Sequence, residues 1–190
     1  MRRLLISVLF GFIYAGVTSA QGLSVQLGSA SARFFFSTEM WGQQAGPLDL
    51  EVGAMYKNNG DYMLSAGLLV RNDNLDSPVI ISVGTRAYYA DTSTPTKLYQ
   101  VMALSIGGEL LYIPDSWNGV GVGFHYFTAP NVVSFLDAET LSEYGARLDY
   151  QLTPQASIFL GYDNVSFAAK STGVSVTVAS EAYIGVGMRF

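Results

Sequence analysis

Cysteine is absent from this chain of 190 residues, and histidine occurs once, at His125. Without cysteine the protein forms no disulfide, has no thiolate nucleophile and cannot be anchored through a lipidated cysteine after an export signal. A single histidine with scattered carboxylates lacks the spacing of a zinc site. The sequence therefore predicts neither a metal nor a cofactor.

Basic residues are also scarce, and two of the ten lie in the first three positions. Met1-Arg2-Arg3, an apolar run over 4–17 and the small residues Thr18-Ser19-Ala20 predict a cleaved secretory signal peptide over 1–20. The remaining single domain, 21–190, then carries eight bases against fifteen acids, a net charge of −7. Such a surface excludes nucleic acid as an expected partner.

The predicted mature chain lacks a long apolar run. Its longest charge-free stretch, 116–136, contains three glycines, two asparagines, a histidine and a proline, a composition that suits strands and loops. If this chain crosses a membrane, only a closed β-barrel can take it there, because every backbone polar group in lipid needs an internal partner.

Apolar residues instead alternate strictly with other residues along the chain, and this alternation is clearest over 181–190. One face of this segment is apolar over roughly 26 Å, or about 20 Å after a strand tilt of ~40°, close to the lipid-facing band of an outer-membrane barrel. The segment ends on Phe190, which we interpret as a signal for barrel assembly. The apolar residues are Ala182, Ile184, Val186, Met188 and Phe190, and between them lie Glu181, Tyr183, Gly185, Gly187 and Arg189.

Alternation and turn residues together predict an all-β, transmembrane, antiparallel up-and-down β-barrel of about ten strands, with eight as the alternative. The predicted strands are 23–28, 31–40, 48–57, 62–71, 79–89, 98–112, 119–128, 143–152, 156–163 or beyond, and 181–190. The first two could also be one bulged strand.

All fourteen charged residues of these strands lie on the strand face opposite to the apolar residues. No strand then places an ion in lipid, where a mid-depth Arg or Lys costs ~2–4 kcal/mol. We therefore predict a polar network inside the barrel and a constricted pore, since unpaired charges in a narrow lumen are unfavourable. The predicted network is Arg33, Glu51, Arg86, Glu109, His125, Arg147, Asp149, Asp163 and Arg189.

A soluble lipocalin-like barrel would show the same alternation with its faces exchanged. Ten glycines on the charged face favour a crowded interior over a solvated exterior. Tyrosines near the ends of the apolar faces favour the interfacial girdles of a membrane barrel. These tyrosines are Tyr56, Tyr62, Tyr89, Tyr112, Tyr126, Tyr144, Tyr150 and Tyr162.

The loops predict the topology. Both termini are expected in the periplasm, which makes 58–61, 90–97, 129–142 and 165–180 the outer loops. Ser134-Phe135-Leu136-Asp137 has the pattern of a helix start, so a short helix could cover the mouth. The alternative is a short turn that packs Val133 and Leu136 on the rim.

A stretch from His125 to Tyr162 resembles the YfaZ family of outer-membrane proteins. It reads His125-Tyr-Phe-Thr-Ala-Pro130, Ser134-Phe-Leu-Asp-Ala138, Glu143-Tyr-Gly-Ala-Arg-Leu-Asp-Tyr150, Pro154-Gln-Ala156 and Gly161-Tyr162. Weaker likeness extends to 24–28 and 183–187, and Phe127-Thr128 departs from the aromatic pair of the family. The resemblance implies an outer-membrane barrel of a Gram-negative envelope and brings no catalytic motif.

Three functions fit these patterns. The leading one is an outer-membrane barrel that acts as a narrow or gated pore or as a structural component of the envelope. The second is a barrel-embedded lipid-modifying enzyme using His125 with Glu109 or Asp149, although the His-x-Ser spacing of lipid A deacylases is absent. The third is a soluble periplasmic binding barrel. Expected partners are outer-membrane lipids, periplasmic chaperones and the barrel assembly machinery.

Overall fold

The computed structural model describes residues 21–41, 46–72, 77–95, 97–170 and 173–190. The predicted signal peptide lies outside this part of the chain. Within the described ranges, no helix is long and apolar enough to cross a membrane.

The described residues fold into a closed antiparallel barrel of ten strands with one short additional strand. Each strand of the wall pairs with its neighbours in the chain, except where β7 pairs with β9 past the short β8. The barrel closes where β1 pairs with β11, from Gly22 opposite Arg189 to Gly28 opposite Tyr183. The prediction of ten strands is confirmed. Their bounds are β1 Gln21–Gly28, β2 Ser31–Trp41, β3 Leu48–Lys57, β4 Tyr62–Arg71, β5 Val79–Ser93, β6 Leu98–Tyr112, β7 Val120–Ala129, β8 Ser134–Leu136, β9 Ala138–Thr153, β10 Ala156–Ala169 and β11 Ser175–Arg189.

The two ends of the barrel differ. We call the end that carries both termini the terminal end, and the other the loop end. At the loop end, β1 and β2 form a hairpin rather than one bulged strand. Glu181 of β11 accepts hydrogen bonds there from the backbone N–H of Ala30 (3.0 Å) and from the hydroxyl of Ser31.

The strands of one side extend further toward the loop end than the sequence predicted. β5 and β6 stay paired as far as Ser93 opposite Leu98, so the first half of the predicted loop 90–97 is strand. β10 and β11 likewise stay paired as far as Ala168 opposite Ser175, so the predicted loop 165–180 is wrong. Inward and outward residues continue to alternate in both hairpins. In the β10–β11 hairpin, a register shift between Val165 and Ser166 interrupts this alternation.

The helix predicted from Ser134 is also wrong. Residues Asn131–Val133 form a single 3-10 turn, and β8 pairs with 101–103 of β6. β7 ends before it reaches this part of β6, which leaves backbone groups that need a partner, and β8 supplies it. Val133 packs against the buried apolar cluster, as the alternative prediction had it, whereas Leu136 is half exposed.

The outside of the barrel is apolar, as predicted. Leu23, Val52, Leu68, Ile106 and Val186 are 43–64% exposed, because they point away from the lumen. Tyrosines border this belt toward both ends. Toward the loop end they are Tyr56, Tyr62, Tyr89, Tyr126, Tyr144 and Tyr162, and toward the terminal end Tyr112 and Tyr150, with Trp117 against Tyr112. This distribution suits a belt of lipid tails bounded by two polar interfaces.

Asp61 stabilises the loop end between β3 and β4. Its carboxylate accepts hydrogen bonds from Asn59 (2.9 Å), the hydroxyl of Thr92 (2.8 Å), and the backbone N–H (2.9 Å) and hydroxyl (2.7 Å) of Ser93. Burial raises the pKa of Asp61, but the hydrogen bonds from Ser93, Asn59 and Thr92 outweigh it and hold the pKa below its usual range.

We expect Asp61→Ala to lower the free energy of unfolding by about 1–3 kcal/mol at neutral pH, because it leaves these donors without an acceptor. A lowered pKa means that the stabilisation is present above the ordinary carboxyl pKa of about 4 and is lost as pH falls below it. Unfolding curves recorded in detergent at several pH values should show that the difference in free energy of unfolding between variant and wild type becomes smaller in acid. Asp115→Ala, at an exposed site of the terminal end, is the control. A difference independent of pH would contradict this role of the carboxylate.

Candidate functional site

Charged side chains occupy the middle of the lumen, because the inward phase of most strands carries an acid or an arginine there. Arg86 of β5 lies at the centre and is only 3% exposed. Its Nη2 donates to Glu51 and to Glu109, both at 2.7 Å, and its Nη1 donates to Glu143 at 3.2 Å. One guanidinium thus joins carboxylates from β3, β6 and β9.

A second arginine, three strands away in the wall, continues this layer. Arg33 of β2 donates to Asp163 of β10 at 2.7 Å and lies 4.0 Å from Glu143. The Nε2 of His125 is 3.6 Å from Asp163 and 4.0 Å from Glu143. Gly145 makes the arrangement possible, since a Cβ there would collide with Asp163 and His125. We call Arg33, Arg86, Glu51, Glu109, Glu143 and Asp163 the floor cluster.

Other charges lie nearer the terminal end. Arg147 donates from Nε to Asp149 at 3.0 Å, and Arg71 lies 3.4 Å from both Glu39 and Asp49. The guanidinium of Arg189 forms no ion pair with any described residue. These side chains surround the opening of a cavity rather than its base.

That cavity, which we call the vestibule, has a volume of about 260 Å³ and opens at the terminal end. Its rim includes Arg71, Arg189 and the β9–β10 turn at Pro154. Glu51, Glu109 and His125 line its base and also line a smaller cavity of about 60 Å³ that reaches Gln26 and Asp163. Water therefore has access from the terminal end to the floor cluster.

The loop-end half of the lumen is apolar and filled. Val101, Leu141, Val165, Phe167 and Val178 are at most 2% exposed, so water does not reach them. Tyr99 and Phe167 meet edge to face with ring centroids 5.6 Å apart, so β6 and β10 touch across the lumen although β7 and β9 separate them in the wall. We call this group the apolar plug; it contains Met55, Met63, Tyr88, Ala90, Tyr99, Val101, Ala103, Ala129, Ala138, Leu141, Val165, Phe167, Ala169, Val176, Val178 and Ala179.

A model of the family described as YfaZ precursor matches residues 16–190, essentially the whole chain. The chain belongs to the YfaZ family. Among curated proteins, no sequence relative matches it.

Three solved barrels are similar to this YfaZ-family chain, all at low identity. They are the outer membrane channel DcaP of Acinetobacter baumannii (9% identity, TM-score 0.43, 88% of this chain and 62% of that one), Omp33 of the same organism (12%, 0.41, 90% and 98%) and the NanC porin (13%, 0.44, 91% and 99%). This chain therefore spans less than two thirds of the DcaP chain.

The YfaZ-family chain is an integral outer-membrane protein, as its sequence predicted. A closed barrel with an apolar belt outside and charges inside suits a membrane, and closed barrels of this kind are typical of outer membranes. The family description as a precursor agrees with an export signal. Cleavage after Ala20 stays a prediction. The soluble-barrel alternative is wrong, because the apolar face points outward rather than into the lumen.

The structure brings together most of the residues predicted for the lumen network. Arg33, Glu51, Arg86, Glu109, His125 and Asp163 lie in one layer, whereas Arg147, Asp149 and Arg189 lie nearer the terminal end. The predicted network left out Glu143, which contacts both central arginines, and Tyr88, whose hydroxyl donates to Glu143. The sequence feature that could have identified Glu143 is its position on the inward-facing side of its strand.

Several polar atoms of this layer have no hydrogen-bond partner among the described residues. They are buried acceptors, Gln26 Oε1 and Asp163 Oδ1, buried donors, Arg33 Nη2 and Arg86 Nε, and His125 Nε2. No group of three or more His, Cys, Asp and Glu side chains in the described ranges could hold a metal ion. The layer is therefore suited to water and hydrogen-bonding ligands.

Proposed function

We propose that this protein is an outer-membrane barrel whose lumen is closed toward the cell exterior and open toward the periplasm. It serves as an envelope component with a periplasmic vestibule or as a tightly constricted pore, and does not admit large solutes. The observation that carries the proposal is the apolar plug, whose central side chains are inaccessible to water. Termini in the periplasm, as is usual for outer-membrane barrels, give this orientation.

The interior is consistent with a lumen that does not conduct freely. Eight-stranded barrels are filled by their own side chains, and barrels of sixteen or more strands leave water channels. With ten strands, this barrel has room for the vestibule, but the floor cluster and the apolar plug follow it in series. An ion crossing the lumen would have to leave water within the plug, which is strongly unfavourable.

A narrow or gated pore is the second candidate. It is favoured by the vestibule, which brings water to the charged centre of the barrel and would be needed on one side of any pore. In such a pore, rearrangement of the plug would be the gating step. Outer-membrane lipids, periplasmic chaperones and the assembly machinery remain proposed partners.

We propose no enzymatic activity. The enzyme alternative would combine His125 with Glu109 or Asp149. Asp149 instead forms its ion pair with Arg147, and the carboxylates nearest to His125 among its ion pairs are Asp163 and Glu143. A histidine between two carboxylates at the base of a charged cavity suits an ionic network as well as a catalytic base.

We expect purified protein in planar bilayers to show no steady openings of porin size and no passage of sugars. The physical reason is the desolvation of ions and solutes at the plug. Leu141→Ser with Phe167→Ser should raise the current, because it places hydroxyls at two fully buried positions of the plug. Val132→Ser, at an exposed position, is the control. Porin-sized openings of the wild-type protein that admit sugars would refute the proposed closure.

A further inference from the structure

The floor cluster carries more negative than positive charge. Four carboxylates face two guanidiniums there, so acidic side chains outnumber basic ones by two. Nearer the rim, Arg71, Arg147 and Arg189 balance Glu39, Asp49 and Asp149. The excess is thus located at the base of the vestibule, where partial burial makes an unbalanced charge unfavourable.

Two of these carboxylates are accessible from the vestibule. The side chains of Glu51 and Glu109 are 17% and 33% exposed, whereas those of Glu143 and Asp163 are almost fully buried. Arg86 Nη2 holds one oxygen of Glu51 and one of Glu109 at 2.7 Å, so these two oxygens lie no more than twice that distance, 5.4 Å, apart. The two carboxylates are therefore close enough for one cationic group to contact both, as Arg86 Nη2 does.

Unsatisfied acceptors lie beside them. Asp163 Oδ1 and Gln26 Oε1 are buried, have no hydrogen-bond partner among the described residues and line the small cavity together with Glu51 and Glu109. Unsatisfied donors of Arg33 and Arg86 lie in the same layer, which indicates water there as well. The negative net charge decides that the ligand is a cation.

The walls above the floor cluster are partly apolar. Phe35, Leu69, Leu111 and Phe159 line the vestibule between the charged base and the charged rim. Its volume of about 260 Å³ limits an occupant to a small molecule. A ligand that places a cation at the base would lay its remaining part along this apolar wall, as is usual for small-molecule sites with few polar groups.

We propose that the vestibule binds a small primary amine in its ammonium form, with a short apolar chain. The ammonium group donates to Glu51 and Glu109, where its three N–H donors form charge-assisted hydrogen bonds, and the chain lies against Phe35 and Leu69. A metal ion fits less well, because the described residues offer no group of three or more His, Cys, Asp and Glu side chains that could hold one. The periplasmic source of the amine rests on the proposed orientation, whereas binding itself does not.

The test is a titration of the purified full-length mature barrel in non-ionic detergent at pH 7 and constant ionic strength. The probe is n-butylammonium chloride, followed by calorimetry and by saturation-transfer NMR. We expect saturable binding at least about ten-fold tighter than that of tetramethylammonium, which lacks N–H donors, or of 1-butanol, which lacks charge. Equal affinities for the three compounds, or no saturable butylammonium binding, would overturn the proposal.

Variants locate the site. Glu51→Gln combined with Glu109→Gln should weaken butylammonium binding about ten-fold or more, and Glu39→Gln near the rim should leave it within about two-fold. If the double variant does not fold, Glu109→Gln alone, at the more exposed position, replaces it in the test. This single variant should weaken butylammonium binding several-fold. Unchanged binding in the glutamine variants, or equally strong competition by sodium, would identify a general counter-ion effect and reject the site. Bilayer conductance tests the closed lumen separately.

Discussion

Replacing Arg86 with methionine should almost abolish recovery of the folded barrel at pH 7. The substitution leaves Glu51, Glu109 and Glu143 without the guanidinium that joins them. Removing one partner of a buried ion pair typically costs about 3–5 kcal/mol, and here three carboxylates lose a shared partner. The stacking of Arg86 on the ring of Phe127, 4.1 Å from the centroid, is lost as well.

The measurement is the folded fraction after refolding into detergent, read from heat-modifiable gel mobility. Arg86→Met with Glu51→Gln and Glu109→Gln should recover much of it, because two of the three unpaired charges are then neutral. Arg86→Lys should give an intermediate yield, because lysine keeps the charge but lacks the planar fork that contacts three partners.

Arg189→Met is the matched control, since this guanidinium forms no ion pair with a described residue. It should refold like the wild type. If Arg86→Met also refolds normally at pH 7, the floor cluster does not hold the strands together, and its charges must be neutralised by other means.

The barrel and its polarity could be predicted from alternation alone. Residues such as Asp49 and Glu51, separated by Leu50, fix which face of β3 points inward, and the same reasoning repeated over ten strands gives a charged lumen. Glycines such as Gly185 also confirm the predicted crowded interior, because a Cβ at Gly185 would collide with the ring of Phe159.

The pairing inside the lumen could not be predicted in the same way. Alternation fixes the face of each residue but not the stagger of the strands, and the stagger decides which inward residues share a level. Arg86, for example, lies beside Gly67 in the sheet, yet its guanidinium reaches Glu51 one strand further and Glu143 across the lumen. Glu143 was therefore seen as an inward acid but not as a member of the floor cluster.

The apolar plug was missed for a different reason. Val165, Phe167, Val176 and Val178 point inward, but the chain around them was predicted to be an outer loop. The register shift after Val165, together with two consecutive buried residues at Val178 and Ala179, interrupts the period of two that identifies a strand. Hydrogen bonding to the neighbouring strand preserves these segments as strands, and sequence periodicity does not report it.

Removing Phe190 should lower the amount of folded protein in the outer membrane several-fold or more, while refolding in detergent changes little. The side chain is 66% exposed and lies at the end of the belt, so burial of its ring contributes little to the stability of the barrel. Its backbone exchanges two hydrogen bonds of 2.9 Å with Gln21, but β1 and β11 pair over seven further residues each. An assembly defect without a folding defect would identify the ring as a recognition element for the assembly machinery.

Substitutions separate the two roles of Phe190. Phe190→Asp keeps the backbone bonds to Gln21 and removes the aromatic ring, so it should match the deletion in cells if recognition is the cause. Met188→Ala is the control, because Met188 is similarly exposed on the same face of β11. The measurements are outer-membrane levels after fractionation and refolding yields of the same variants in detergent. Equal losses of folded protein in cells and in detergent would show that Phe190 acts through barrel closure. Normal membrane levels of the deletion variant would show that Phe190 acts neither through closure nor through recognition by the assembly machinery.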